Sequence, residues 1–129
     1  MPLRIVRLGS DRHPDEGLRI GTVRRPPRGI PKTRFASDNW YDVWLPEVAP
    51  SAELVALAMA ARTDKEWAQF AAKYRVELKQ GAAAHTLDLL AALSHTANVS
   101  VGCYCEHEAR CHRSVLRALL AERGALIRN

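Results

Sequence analysis

No apolar run in this 129-residue chain approaches the roughly 20 residues that a membrane-spanning helix needs, so no membrane partner is expected. The opening "MPLRIVRLGSDRHPDEG" lacks the unbroken apolar stretch of a secretory signal, and a cytoplasmic location is expected. Cysteine is limited to three. An odd number does not close into a disulfide framework, and cytoplasmic thiols stay reduced. Aromatics make up only 6% of the chain. There is no helix-turn-helix pattern, and no pair of aromatics stands beside the most basic segment to stack on bases. Internal repeats and low-complexity tracts are also absent.

What is present is an ordinary globular composition, 47% hydrophobic and 26% charged, long enough for one domain over residues 1–129 with a single real core. The net charge of +5 is uneven. Residues 1–35 carry nine Lys or Arg against three Asp or Glu, and the rest of the chain is close to neutral. A basic excess of this kind attracts phosphate, nucleotides or nucleic acid. A solvated basic surface is the plainer account of the same charge.

"LRIVRL" (3–8) alternates apolar and basic residues and predicts a first strand; "LRIGTV" (18–23) predicts a second. The second runs into "RRPPRGIPK", where three prolines hold the backbone extended. Arg24, Arg25, Arg28 and Lys32 therefore stand on a stiff loop directly after a strand. In "DNWYDVWLPEVAPS", Trp40 and Trp44 are spaced to share one face of a short helical turn. Three helices follow. The first is capped by Ser51; the second opens on the capping box Thr63-x-x-Glu66, buries a stripe through Trp67, Phe70, Tyr74 and Leu78, and stops at Gly81. The third is the Ala- and Leu-rich stretch from 82 to 96. "NVSVGCYC" predicts a buried central strand over 99–104, and "CHRSVLRALLAERG" a helix over 112–123 ended by Gly124. Strands alternating with helices predict a small layered α/β domain with a short, largely parallel sheet flanked by helices.

All three cysteines and two of the five histidines fall within "VSVGCYCEHEARCHRSVL" (99–116). Three chemistries compete there. An anion cradle needs only the N–H groups at a helix start plus a cation or hydroxyl, which Cys111, His112, Arg113 and Ser114 supply. A nucleophile needs a thiol of lowered pKa, and Cys111 beside His112 and Arg113, or Cys105 at the strand end, fits. A metal site would draw on Cys103, Cys105, Cys111, His107 and His112, but C-x-C-x5-C-H is not a usual zinc spacing. The phosphatase signature C-x5-R fails, since six residues after Cys105 stands Cys111. Packing alone offers a fourth account, with cysteines as small apolar residues. The expected order is anion cradle, then reactive thiol, then metal, with metal-free reduced thiols and no cofactor.

"PPRGIPK", "WYDVWLPEVAPSAEL", "FAAKYRVEL" and "CYCEHEARCHRSVL", in this order, resemble the bacterial and archaeal domain of unknown function 488 family, over roughly residues 3–121. The matching elements are Pro27-Arg28-Gly29, Trp44-Leu45 with Ala49-Pro50-Ser51, Tyr74-Arg75 with Glu77-Leu78, and Cys111-His112-Arg113. Where many members show an Asp-Arg-x-Trp-Pro-Arg-Gly run, this chain reads "VRRPPRG". The resemblance implies a compact α/β domain and supplies no reaction.

The function expected from the residues is an enzyme or enzyme-like domain that binds a small phosphate-bearing or nucleotide-like anion. Arg24, Arg28, Arg113 and Ser114 would hold the anion, His112 would serve as acid or base, and Cys105 or Cys111 as nucleophile. A nucleic-acid-binding or regulatory module and a small metal-binding or thiol-sensing protein are the alternatives. No sequence feature specifies an oligomeric state.

Overall fold

The computed structural model describes residues 2–128. Five strands form one sheet: β1 (Leu3–Arg7), β2 (Leu18–Gly21), β3 (Val43–Trp44), β4 (Val99–Cys103) and β5 (Ile127–Arg128). Their order is β3-β2-β4-β1-β5, and every pairing is parallel. Four helices complete the α/β fold: α1 (Ala52–Ala60), α2 (Asp64–Leu78), α3 (Gly81–Leu93) and α4 (His112–Glu122). Among the described residues no helix is long and apolar enough to cross a membrane.

β4 is central and all five of its residues are buried. Its alternation decides what covers the sheet. Val99 and Val101 point to the face where Leu3 and Ile20 meet the helix residues Phe70, Tyr74, Leu87 and Leu116. Ser100 points the other way, in register with Arg4 on one side and Arg19 on the other. That second face carries charge, so a loop bearing acidic groups covers it instead of a helix. Asp15 pairs with Arg4, and Glu16 pairs with Arg19. Gly21 permits the loop before β3 to lie against the sheet, because a Cβ there would come within 2.3 Å of the Tyr41 ring.

The helix signals act as their residue types require. The Ser51 side chain accepts from the Leu54 N–H. Thr63 and Glu66 close a reciprocal capping box at the start of α2. Thr63→Ala should lower stability by about 1 kcal/mol, read as a shift in the urea midpoint without a change in slope. Gly124, at φ +81°, ends α4 in the left-handed conformation that glycine adopts without strain.

Two expectations need correction. Trp40 and Trp44 do not share a helical turn: Trp44 lies in β3 and is 43% exposed, while Trp40 sits in the preceding loop. The Trp44 indole N–H instead donates to the Val23 carbonyl at 2.8 Å. Gly81 does not stop α2, which ends at Leu78; it opens α3 at φ +53°. The edge strands β3 and β5 were not anticipated, being two residues each.

Candidate functional site

Ligands in open parallel sheets bind beyond the carboxyl ends of the strands. Here the ends of β1, β2 and β4 release the segment at Leu8–Ser10, the proline loop and the cysteine turn around one cavity of about 1090 Å³. Cys103, Cys105, Cys111 and His112 lie along one wall, and Arg24, Arg25 and Arg28 along another. The remaining surface is largely apolar, with Val55, Met59, Trp67 and Phe70 from α1 and α2. The sequence-based placement of the two loops at one crevice therefore matches the geometry. Tyr104 joins them directly, its hydroxyl donating to the Arg25 carbonyl at 2.8 Å.

The arginines differ sharply in what they do. Of the fifteen in the sequence, nine form ion pairs among the described residues. Three more donate to backbone carbonyls. Arg24 is one of these: its guanidinium reaches the carbonyls of Pro46, Ala49 and Pro50 and fixes the start of α1 against the proline loop. The three left without an anionic or carbonyl partner among the described residues are Arg7, Arg25 and Arg28, and all three line this cavity. Arg7 escaped the sequence reading, although its place at the carboxyl end of β1 is the signal that would have found it.

Arg113 and Ser114 turn inward and are not among the described cavity-lining residues. Arg113 is 4% exposed and donates to the Cys105 carbonyl at 2.6 Å. Ser114 returns its hydroxyl to the Cys111 carbonyl at 2.9 Å. The backbone N–H groups of Cys111 and Ser114 are likewise taken, by Glu108 and Cys111 carbonyls. The helix start thus keeps only the His112 and Arg113 N–H groups from the expected cradle. The cysteine turn is braced further by a bidentate pair from Arg117 to Glu108, at 2.5 and 2.9 Å. Arg110 pairs with Asp64 and lies 5.9 Å over the Trp67 ring.

The thiols are free and close together. Cys103 and Cys111 are buried, Cys105 is exposed, and the sulfurs of Cys103 and Cys105 are 3.8 Å apart. Hydrogen bonds from the Cys103 and Cys105 thiols, aided by His112, outweigh burial and pull the Cys111 thiol well below its ordinary value. The donor role toward Cys105 and Cys111, with burial added, pushes Cys103 far up. Cys105 is raised as well: acceptance from Cys103 lowers it, but donation to Cys111 and burial prevail. The His112 Nε2 lies 2.7 Å from the Thr22 carbonyl. His107 is exposed on the turn and is not among the cavity-lining residues.

A family model described as "Active DUF488-N3 subclade" matches residues 3–124. The chain belongs to the DUF488 family. This DUF488 chain is 33% identical over 118 residues, 92% of either protein, to "Uncharacterized protein Rv3073c" of Mycobacterium tuberculosis (strain ATCC 25618 / H37Rv). The same figures relate it to "Uncharacterized protein Mb3100c" of Mycobacterium bovis. No solved structure matches it. The match takes in the proline loop, the cysteine turn and α4, so the whole DUF488 cavity described above lies within the family region.

Proposed function

We propose that the cavity binds a small phosphate-bearing anion with an apolar or aromatic body, and that the protein is an enzyme or enzyme-like domain acting on it. The observation that carries this reading is the segregation of arginines. Elsewhere among the described residues each guanidinium is matched by a carboxylate or a carbonyl, whereas Arg7, Arg25 and Arg28 are left together around one concave site. Unmatched cations at a cleft with low-dielectric walls focus the field on an anionic ligand. The apolar wall of Val55, Met59, Trp67 and Phe70 favours a ligand with more than a phosphate to bury. Cys105 is the accessible thiol at this cavity, and His112 and Cys111 lie in the wall behind it. These are the groups from which acid–base or nucleophilic chemistry would come.

Trp40 and Trp67 both line the cavity, so their fluorescence reads its occupancy. Titration of metal-free protein with inorganic phosphate and with a nucleoside monophosphate should quench it, with the nucleotide binding more tightly. Arg28→Ala should weaken that binding about tenfold or more, since a charge-assisted hydrogen bond contributes roughly 1.5–3 kcal/mol. Arg123→Ala, at the far end of α4 and paired with Asp88, should leave it unchanged. Equal losses from both substitutions would reduce the site to a diffuse basic surface. A steep fall of affinity with added salt, extending to single-stranded oligonucleotides, would favour the nucleic-acid alternative.

A further inference from the structure

We propose that Cys103, Cys105, Cys111 and His112 form a binding site for one soft divalent metal ion, with zinc as the class of ion that the donor set fits. The site goes beyond the anion reading and does not depend on it.

The linear spacing C-x-C-x5-C-H argued against a metal because it counts residues along an extended chain. The fold changes the count. Glu108–Arg110 form a turn of 3-10 helix that brings the chain back, so Cys111 returns to the end of β4. One ligand atom from each of Cys103, Cys111 and His112 then lies within 4.8 Å of the others, and all three residues are buried. Cys105 stands outside that mutual 4.8 Å group, but its sulfur is 3.8 Å from that of Cys103, and a small movement of its exposed side chain would make it the fourth donor. Two sulfurs bound at about 2.3 Å to a tetrahedral zinc lie about 3.8 Å apart. The pair is therefore already at the separation that shared coordination requires.

His112 is prepared in the same sense. The Thr22 carbonyl, 2.7 Å from Nε2, accepts the proton on that nitrogen and leaves the Nδ1 lone pair for the cluster. Metal-bound imidazoles are held by an outer acceptor of this kind, which fixes both tautomer and ring orientation. The loop that carries Cys105 is held too, by Arg113 on the Cys105 carbonyl and by Arg117 on Glu108. Three sulfurs and one imidazole are soft donors. They suit zinc, and they do not suit magnesium or calcium, which take oxygen. Binding releases to solvent the proton of each thiol that becomes a ligand. Cys103, Cys111 and His112 are buried and Cys105 is exposed, and all four line the cavity, so the ion would enter from the Cys105 side.

The test uses cobalt(II) on the reduced, full-length protein. One equivalent should produce the visible bands of tetrahedral cobalt together with sulfur-to-metal charge transfer, and zinc(II) should displace it. Cys105→Ser, at an exposed position, should keep the fold by circular dichroism and lose part of the charge-transfer intensity. Cys111→Ser should weaken binding by more than about 100-fold, the upper end of what loss of an outer partner costs. A folded, reduced wild-type protein that gives no tetrahedral cobalt spectrum would overturn the proposal. So would a spectrum that Cys105→Ser leaves untouched, even if Cys111→Ser fails to fold. The phosphate titration is made on metal-free protein and reports on arginines, so failure of either experiment leaves the other standing.

Discussion

Glu16→Ala should destabilise the protein by about 3–5 kcal/mol, the cost of removing one partner of a buried ion pair. Arg19 is fully buried and Glu16 is 1% exposed. Their contact is bidentate, Nε to Oε2 at 2.7 Å and Nη2 to Oε1 at 2.9 Å. The remaining guanidinium nitrogen donates to the carbonyls of Ser10 and Asn39. Alanine at 16 leaves that guanidinium enclosed without its bidentate carboxylate partner. Replacing both residues by apolar side chains of similar volume, Glu16→Leu with Arg19→Met, should recover much of the loss, because no charge is then stranded. The measurement is urea unfolding of the two variants beside wild type. Equal instability of the single and double variants would show that the carbonyl contacts of Arg19, and not its charge, hold this region.

The same pair predicts acid sensitivity. Burial raises the Glu16 carboxyl, but hydrogen bonding and charge from Arg19 outweigh it and hold the group below the ordinary carboxylate range. A depressed folded pKa contributes stability that is present above the unfolded value and is lost as pH falls through the folded value. The wild-type protein should therefore weaken on acidification through and below the usual carboxylate range. Glu16→Gln should start lower and show a flatter profile there. Parallel curves for the two proteins would remove Glu16 from the acid response.

Leu119→Ala should cost about 2–5 kcal/mol. Leu119 is 1% exposed and sits on the inner stripe of α4 with Val115, Leu116 and Leu120, packed into the helix-side core. The loss combines the transfer free energy of the deleted atoms with the cavity left between α4 and its neighbours. It should appear as a lower urea midpoint at constant slope. A change within experimental error would mean that α4 lies loosely on the sheet, and the placement of Cys111 and His112 at its start would lose its support.

The sequence made the interior of this fold legible where local pattern and burial agree. Alternation at 3–7 and 18–21, the capping box at 63–66 and the apolar stripe of α4 each mark an element that forms. The two-residue strands β3 and β5 are too short to carry alternation, and they exist because a neighbouring edge accepts them. The buried pair of Glu16 and Arg19 was illegible for another reason. Charged residues are solvated by default, and what encloses Arg19 lies in loops distant along the chain, at Ser10 and Asn39. At the site, the strand-end rule placed Arg24, Arg28, Cys105 and Cys111 at one cavity. It did not reveal that Arg24 is spent on carbonyls or that Arg113 is turned onto the cysteine loop. Those assignments depend on which acceptor happens to be within reach, and no periodicity records that.

The strand order has a consequence for how the chain reaches this state. β1 and β2 are made first, yet they do not pair with each other; each pairs with β4, in registers Leu3↔Val99 and Leu18↔Val99. In a nascent chain β1 has no strand to pair with, and β2 has only the two-residue β3, until residues 99–103 arrive to lie between β1 and β2. Non-local closure of that kind is slow relative to helix formation and leaves strand edges open meanwhile. Synthesis halted before β4 would yield helices α1 to α3 without a sheet to dock on, a species suited to chaperones and proteases. The five residues of β4 join the two strands, and α4 and β5, made after them, complete the helix-side core and the sheet edge; the proline loop and the cysteine turn come together only once β4 lies between its neighbours.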